Sequence, residues 1–304
     1  MRGHRRFSRI TQWVTRRANA ILSVVILIVP HDVLRPRRPD EHFAAEAAAA
    51  RDIGCTVALV DHDTMATGDG ADRATARVPA GADAVYRGWM LSSTAYAAFA
   101  DALAARGTTL RTNSAGYRTA HELPGWYEMF AGVTPATVWT AGTDRSDFDR
   151  ACRELGAGPA VLRDYTKSMK HYWDEAAFLP DVADRDAAWR VACRFAELRE
   201  VVEGGFVLRR FERFVGTEVR TWWVDGTCRV VTAHPDTPAA PVPDEIDIPP
   251  LAPLVAALDL PFVTVDLALR DDGRWRVVEL GDGQVSDWPA GMPVTVLVDL
   301  LARH

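Results

Sequence analysis

Along the first third of the chain, continuous apolar runs alternate with amphipathic stretches, as strands and helices do in turn. Ile21 to Val29 ("ILSVVILIV") is an apolar run, interrupted only by Ser23, of the kind that buried parallel strands show. It is too short to span a bilayer. The arginine-rich residues before it mimic a signal peptide, but no small-residue cleavage site follows. After a loop carrying Pro30, Pro36 and Pro39, Asp40 caps a helix predicted to reach about Asp52, with Gly54 as its stop. "TVALVDHD" is a second strand, Met65 to Ala82 reads as loop, and "AVYRGWM" is a short strand. Ser92 or Ser93 opens a helix that carries Tyr96, Phe99, Ala100 and Leu103 on one face and ends at Gly107. "TTLRTN" is the next strand. This alternation predicts an open α/β domain over residues 21–115. Ligands of such sheets lie beyond the carboxyl ends of the strands, where Arg87 and Asn113 fall.

The pattern then changes. "SAGYRTAHELPGWYEMF" reads as a loop-rich bridge, and Ser146 starts a short helix stopped by Gly156. "AVLRDY" is a strand, and a longer helix over about Asp186 to Glu203 turns Ala188, Val191, Ala192, Phe195 and Leu198 inward. The strands "FVLRRFERF", "TEVRTWWV", "CRVVTAH", "FVTVDLALR" and "RWRVVEL" follow, with turns at Asp225-Gly226 and Asp272-Gly273. A short helix is expected near Leu251 to Leu258, and a last one over Met292 to Arg303 with Pro293 in its first turn. This half is α+β and mainly antiparallel, without internal repeats. The expected organisation is a basic leader over 1–20, the α/β domain over 21–115, a central lobe over 116–205 and a C-terminal lobe over 206–304.

Composition narrows the function classes. With 48% hydrophobic and 25% charged residues, the chain can build a sizeable core. A net charge of −6 argues against nucleic acid as the main partner. The four cysteines are scattered, without metal-type pairs, which suits a reduced, cytoplasmic setting. The leader holds Arg2, Arg5, Arg6, Arg9, Arg16 and Arg17 and no acid, and reads as a disordered or loosely helical arm.

Two features carry chemistry. A two-residue turn at Asp272-Gly273 would pair Arg270 with Trp275, Ala268 with Val277 and Asp266 with Glu279. Two carboxylates would then face each other with Cβ atoms about 5 Å apart. A divalent cation would turn that repulsion into binding, whereas solvation on an exposed face would merely tolerate it. The second feature is the lysines. Only Lys167 and Lys170 among the 35 basic residues are not arginine, and both lie in "RDYTKSMKHYWDEAAF". Lysine is a compact, rotatable charge suited to a moving phosphoryl group. No Walker-type or Rossmann glycine motif is present. In "TEVRTWWV", Glu218, Arg220 and Trp222 alternate onto one face, where a cross-strand ion pair is the plain alternative to a ligand site.

Together these segments resemble the ATP-grasp superfamily, in particular a divergent clade, over about residues 20 to 304. The resemblance implies an N-terminal α/β domain followed by two α+β lobes that clasp ATP. The strand "AVLRDY" is similar to the one that ends in a nucleotide-binding lysine, a position held here by Arg163. "TKSMKHYW", with Lys167 and Lys170, takes the place of the phosphate-covering loop. "FERF" (Phe211, Glu212, Phe214) resembles the hinge whose backbone faces adenine, and "GTE" makes Glu218 the ribose ligand. "VDLAL" and "VVEL" resemble the strands that carry the metal ligands, here Asp266 and Glu279. The family's metal-binding asparagine is replaced by Gly281, with Asp282 or Gln284 as substitutes. Arg87, Arg209 and Arg220 are the candidates for a substrate carboxylate or its acyl phosphate, because arginine binds such groups bidentately. The implied activity is an ADP-forming, Mg²⁺- and ATP-dependent carboxylate–amine ligase. The alternatives are a non-catalytic nucleotide-binding module and an interaction protein recruited through the arginine-rich leader. Oligomeric state is not legible.

Overall fold

The computed structural model describes residues 25–199 and 201–302. The leader and the first part of the expected Ile21 strand lie outside the described residues. Three four-stranded sheets follow one another along the chain.

The first sheet is parallel, in the order β2-β1-β3-β4. Its strands are β1 (Ile26–Pro30), β2 (Thr56–Val60), β3 (Gly81–Tyr86) and β4 (Thr108–Leu110). β1 is buried along its whole length, which is why it reads as a continuous apolar run. Its helices are α1 (Ala44–Asp52), α2 (His62–Ala66), α3 (Ala71–Ala74) and α4 (Ser93–Ala104). Ser92 caps α4 by accepting from the Ala95 N–H at 3.1 Å. Asp40 caps only a 3₁₀ turn over Glu41–Phe43, after which α1 begins. The expected loop from Met65 to Ala82 contains the end of α2 and all of α3.

The expected bridge is instead two helices, α5 (Ser114–His121) and α6 (Leu123–Phe130). Asn113 caps α5, accepting from the Gly116 N–H at 2.7 Å. The residues that read as breakers have local uses. Pro124 sits in the first turn of α6, where no intrahelical N–H partner is needed. Gly125 lets α6 approach α5, since a Cβ there would lie 2.7 Å from the Thr119 carbonyl oxygen.

The second sheet is antiparallel, in the order β5-β8-β6-β7, from β5 (Thr137–Trp139), β6 (Ala160–Arg163), β7 (Phe178–Leu179) and β8 (Val207–Arg210). Helices α7 (Arg145–Leu155) and α8 (Arg185–Arg199) pack on it around Phe148, Phe195 and Phe206. "FVLRRFERF" is therefore two strands rather than one. β8 ends at Arg210, and Phe214 opens a strand of the third sheet.

That third sheet is antiparallel, in the order β10-β9-β11-β12. It comprises β9 (Phe214–Val224), β10 (Thr227–Ala233), β11 (Phe262–Arg270) and β12 (Trp275–Asp282). The short α9 (Ala252–Ala257) precedes β11, and α10 (Val294–Ala302) closes the described chain against α1. One face buries Val219, Trp223, Val265, Leu267, Val277 and Leu280 against α6 and its surroundings. On the other face Trp222, Val224 and Phe262 join the core of the first sheet, beside Val25, Leu27 and Val29. Each such side chain contributes roughly 1.5–3 kcal/mol by leaving water, and together they lock the first sheet to the third.

Asp266 does pair with Glu279, but by a route different from the expected one. The loop at Asp272-Gly273 has three residues, since Arg270 N–H donates to Arg274 O at 2.9 Å and Leu269 pairs with Trp275. Only Gly273 takes a positive φ there, +84°. This puts the register out by one residue. A β-bulge between Asp266 and Leu267 restores it, with Val278 as the extra residue of β12. The Asp225-Gly226 turn is the two-residue kind, with φ of 46° and 70°. Its hairpin has a bulge as well, between Cys228 and Val230.

Candidate functional site

The cross-strand pairs Thr232–Arg220, Arg220–Asp266 and Asp266–Glu279 put all four residues on one face of the third sheet. Two residues further along, Glu218 and His234 share that face, His234 N–H donating to Glu218 O at 3.3 Å. The same face is apolar at Trp222 and polar from Arg220 onward, so the polar end forms an open floor.

Asp266 is only 3% exposed. Burial alone would raise its pKa, but Arg220 overrides that and, with His234, holds it down at about 2. Arg220 Nε donates to Oδ1 at 2.7 Å and Nη2 to Oδ2 at 2.8 Å. His234 Nε2 lies 3.4 Å from Asp266 Oδ2 and 4.0 Å from Glu218 Oε2. Burial lowers the imidazole pKa, but the hydrogen bond to Asp266 more than compensates and the net shift is upward. Burial and the Asp266 charge push Glu218 up. Among the described residues, Glu218, His234 and Asp266 are the one set of three or more His, Cys, Asp or Glu side chains close enough to share a metal ion.

Glu279 is 45% exposed at the other edge of the floor, with Arg163 Nη2 3.2 Å from its Oε1. Arg163 is buried at the end of β6, where it also donates to Thr166 O at 2.8 Å. The segment after β6 is organised by Asp164, which is fully buried. Asp164 accepts from the N–H groups of Thr166 at 2.7 Å and Lys167 at 2.6 Å, and from Arg199 Nε at 2.8 Å. Lys167 is exposed at its surface, but partial desolvation and Arg199 lower its pKa. Glu279 and Asp287 lie near it and oppose that shift. Lys170 is ion-paired with Asp236, whose Oδ2 is 3.7 Å from His234 Nδ1. The two lysines thus reach opposite edges of the same floor.

Other expected site residues are placed elsewhere. Arg87 is fully buried and not open to a substrate. It holds Glu46 through two 2.7 Å bonds and donates to the carbonyls of Gly283, Gln284 and Ser286. Asp282 and Gln284 lie away from Asp266, because Asp282 pairs with Val263 on the opposite face. Both are buried. Asp282 accepts from the Gln284 N–H at 2.8 Å and Nε2 at 2.9 Å, and Gln284 Oε1 accepts from the Tyr86 N–H at 3.1 Å. Burial raises the Asp282 carboxyl to about 6. Arg209 lies beneath the β12 bulge, where it donates to the carbonyls of Val278 and Val277 and to Thr134 Oγ1 at 2.6 Å. Burial, then the charge of Arg163, lowers it to about 9. Glu212 grips Arg276 through two 2.8 Å bonds. Phe211, partly exposed, joins Phe178 and Trp173 in an aromatic cluster with centroids 5.4 to 6.2 Å apart. Phe214 pairs with Arg270 at the start of β9.

Sequence reasoning missed His234, Asp164, Arg199, Asp287 and His121. Burial lowers His121 to about 4, and it lies near Glu279 and Lys167. His234 had a signal, its two-residue spacing from Thr232, but the β10 bulge hides which face it takes.

Residues 154–301 match the family model described as "ATP-grasp domain, R2K clade family 3". No curated protein matches the sequence. Among solved structures, a RimK domain protein ATP-grasp from Sphaerobacter thermophilus DSM 20745 is 19% identical, with a TM-score of 0.60 over 91% of this chain and 99% of that one. The D-cycloserine synthetase DcsG is 19% identical, with a TM-score of 0.58 over 90% and 98%. The ATP-grasp ligase PsnB, complexed with minimal precursor, Mg and ADP, is 14% identical, with a TM-score of 0.54 over 92% and 97%. The resemblance seen in the sequence motifs holds at the level of the fold.

Proposed function

The chain has the ATP-grasp fold, and from that premise we propose that it is an ATP-dependent, ADP-forming carboxylate–amine ligase. The observation that carries this reading is the floor itself. Asp266 and Glu279 face each other across β11 and β12, while Arg163, Lys167 and Lys170 approach from the neighbouring lobe. Carboxylates for a divalent cation and mobile ammonium groups for phosphates are the donor set that a Mg-nucleotide needs, so the residues fit the group. ATP would supply the phosphoryl group that turns a substrate carboxylate into an acyl phosphate, which an amine then attacks with loss of phosphate. Two similar structures are named as a synthetase and as a ligase, the latter with Mg and ADP.

Each chain residue has a task in this reading. Asp266 and Glu279 hold the cation, Arg163 and the lysines neutralise phosphates, and the hinge from Phe211 to Phe214 with its aromatic cluster borders the base. Arg220 keeps Asp266 ionised and has Nη groups at the floor for an acyl phosphate. Positioning and charge neutralisation carry the rate, and no nucleophilic side chain is required.

A second reading, a nucleotide-binding module without turnover, is favoured by Gly281. A Cβ at that position would stand 3.1 Å from Thr264 Oγ1, so a side chain there needs that hydroxyl to give by a few tenths of an ångström. The deciding experiment incubates the protein with Mg²⁺, ATP, pooled carboxylates and hydroxylamine, which traps acyl phosphates as hydroxamates. Carboxylate-dependent ADP and hydroxamate are expected, and both should fall at least about 100-fold in Glu279→Ala. Binding of a non-hydrolysable analogue with no ADP from any carboxylate would leave only the second reading.

A further inference from the structure

We propose that Glu218, His234 and Asp266 form a mixed carboxylate–imidazole site for a divalent transition-metal ion such as Mn²⁺. The proposal deepens the reading of this cleft, because it reassigns Glu218 from ribose to metal and names the class of cation. It starts from three side chains on one sheet face, contributed by β9, β11 and the residue that follows β10.

The distances suit coordination. Ligand atoms about 2.1 Å from an ion stand roughly 3.0 to 3.4 Å apart when adjacent and about 4.2 Å apart when opposite. His234 Nε2 is 3.4 Å from Asp266 Oδ2 and 4.0 Å from Glu218 Oε2, so an ion fits among them with small side-chain rotations. The Arg220 ion pair with Asp266 need not break, although the 3.3 Å contact of Nη2 with His234 Nε2 would give way to the ion. A carboxylate offers about four lone-pair positions, and Arg220 uses one on each oxygen of Asp266. The charges also match. Glu218, Asp266 and Glu279 against Arg220 and Arg163 leave one negative charge for a dication to meet.

The outer partners match as well. A metal-bound imidazole usually donates its other N–H to a carboxylate, which fixes the ring. Here Nδ1 accepts from the Asp236 N–H at 3.2 Å, with Asp236 Oδ2, held by Lys170, 3.7 Å away, so an ion at Nε2 would move the ring proton to Nδ1 and turn it toward that carboxylate. One of the two lysines of the chain therefore reaches the imidazole through a carboxylate. A nitrogen donor sets the selectivity, since Mg²⁺ favours an all-oxygen shell whereas imidazole suits first-row transition ions.

The test is direct binding of Mn²⁺ to the nucleotide-free full-length protein, followed by electron paramagnetic resonance. One ion per chain is expected, with ¹⁴N modulation in the spin echo from a bound imidazole and poor displacement by Mg²⁺. His234→Gln should remove the nitrogen coupling and weaken Mn²⁺ by about 10- to 100-fold, and Asp236→Asn should weaken it less while keeping the coupling. Bound Mn²⁺ without nitrogen coupling in the wild type overturns the proposal, as does an absence of binding. Nitrogen coupling in a protein that binds no nucleotide upholds the site and removes the ligase reading. Nucleotide binding without nitrogen coupling does the reverse.

Discussion

Among single residues, Asp282 shows how far an element's context can move a charge. The sequence places it two residues before Gln284 and suggests a metal ligand, whereas the structure buries it beneath the first sheet with Gln284, Tyr86 and Tyr96. Its carboxyl titrates at about 6 in the fold against 3.8 for the free group. The folded state therefore binds the proton more tightly, and stability falls as pH rises from about 4 to about 6, by on the order of 3 kcal/mol. Above that range the loss is constant. Asp282→Asn keeps an acceptor for the Gln284 N–H and removes the buried charge. The variant gives up the acceptor for Gln284 Nε2 but should lack the decline between pH 4 and 6. Urea denaturation across pH checks this, and parallel curves for the two proteins would count against it.

At the scale of the element, the site depends on two bulges. A slip of one residue turns every later side chain of a strand to the other face. Without the bulge at Val278, the three-residue loop would send Glu279 into the core and bring Leu280 to the floor. Without the bulge in β10, His234 would likewise leave the face of Asp266. The β12 bulge is held from outside its own sheet. Arg209 and Thr134 donate to its carbonyls, and Val277 N–H donates to Val133 O at 2.9 Å. Arg209 is thus a positioning residue for Glu279. Arg209→Met should lower stability by about 1–3 kcal/mol through the carbonyls left unpaired. Amide hydrogen exchange over residues 277–281 should quicken more than in β9 or β11. An equal change throughout the sheet would refute the clamp.

Across the whole molecule, the first sheet and the third are joined both by apolar packing and by hydrogen bonds from a buried, ion-paired arginine. Trp222, Val224 and Phe262 provide the packing. Arg87, from the end of β3, provides the polar link by bridging Glu46 of α1 and the carbonyls that follow β12. Removing one partner leaves an uncompensated buried charge, so Glu46→Ala should cost about 3–5 kcal/mol. Because Glu46 holds Arg87 against the carbonyls across the junction, the loss should appear as early proteolysis there as well as in the denaturation midpoint. A variant as stable as the wild type would mean that the pair contributes nothing net. Among the described residues no helix is long and apolar enough to cross a membrane.

What the sequence determined by itself is what short-range periodicity encodes. The apolar run of β1, the capped helix after Ser92, the shared face of Glu218, Arg220 and Trp222, and the lysine segment after β6 all follow from neighbours in the chain. The facing of Asp266 and Glu279 was also legible, although two offsetting irregularities produce it. Tertiary structure alone decided which polar groups remain available. The β12 bulge is set by donors from the neighbouring lobe, His234 reaches the floor only through the β10 bulge, and Arg87, Asp282 and Gln284 are consumed at a domain junction. The physical reason is that the burial of a charge, and the partner that offsets it, depend on surfaces brought together from residues up to about two hundred positions away.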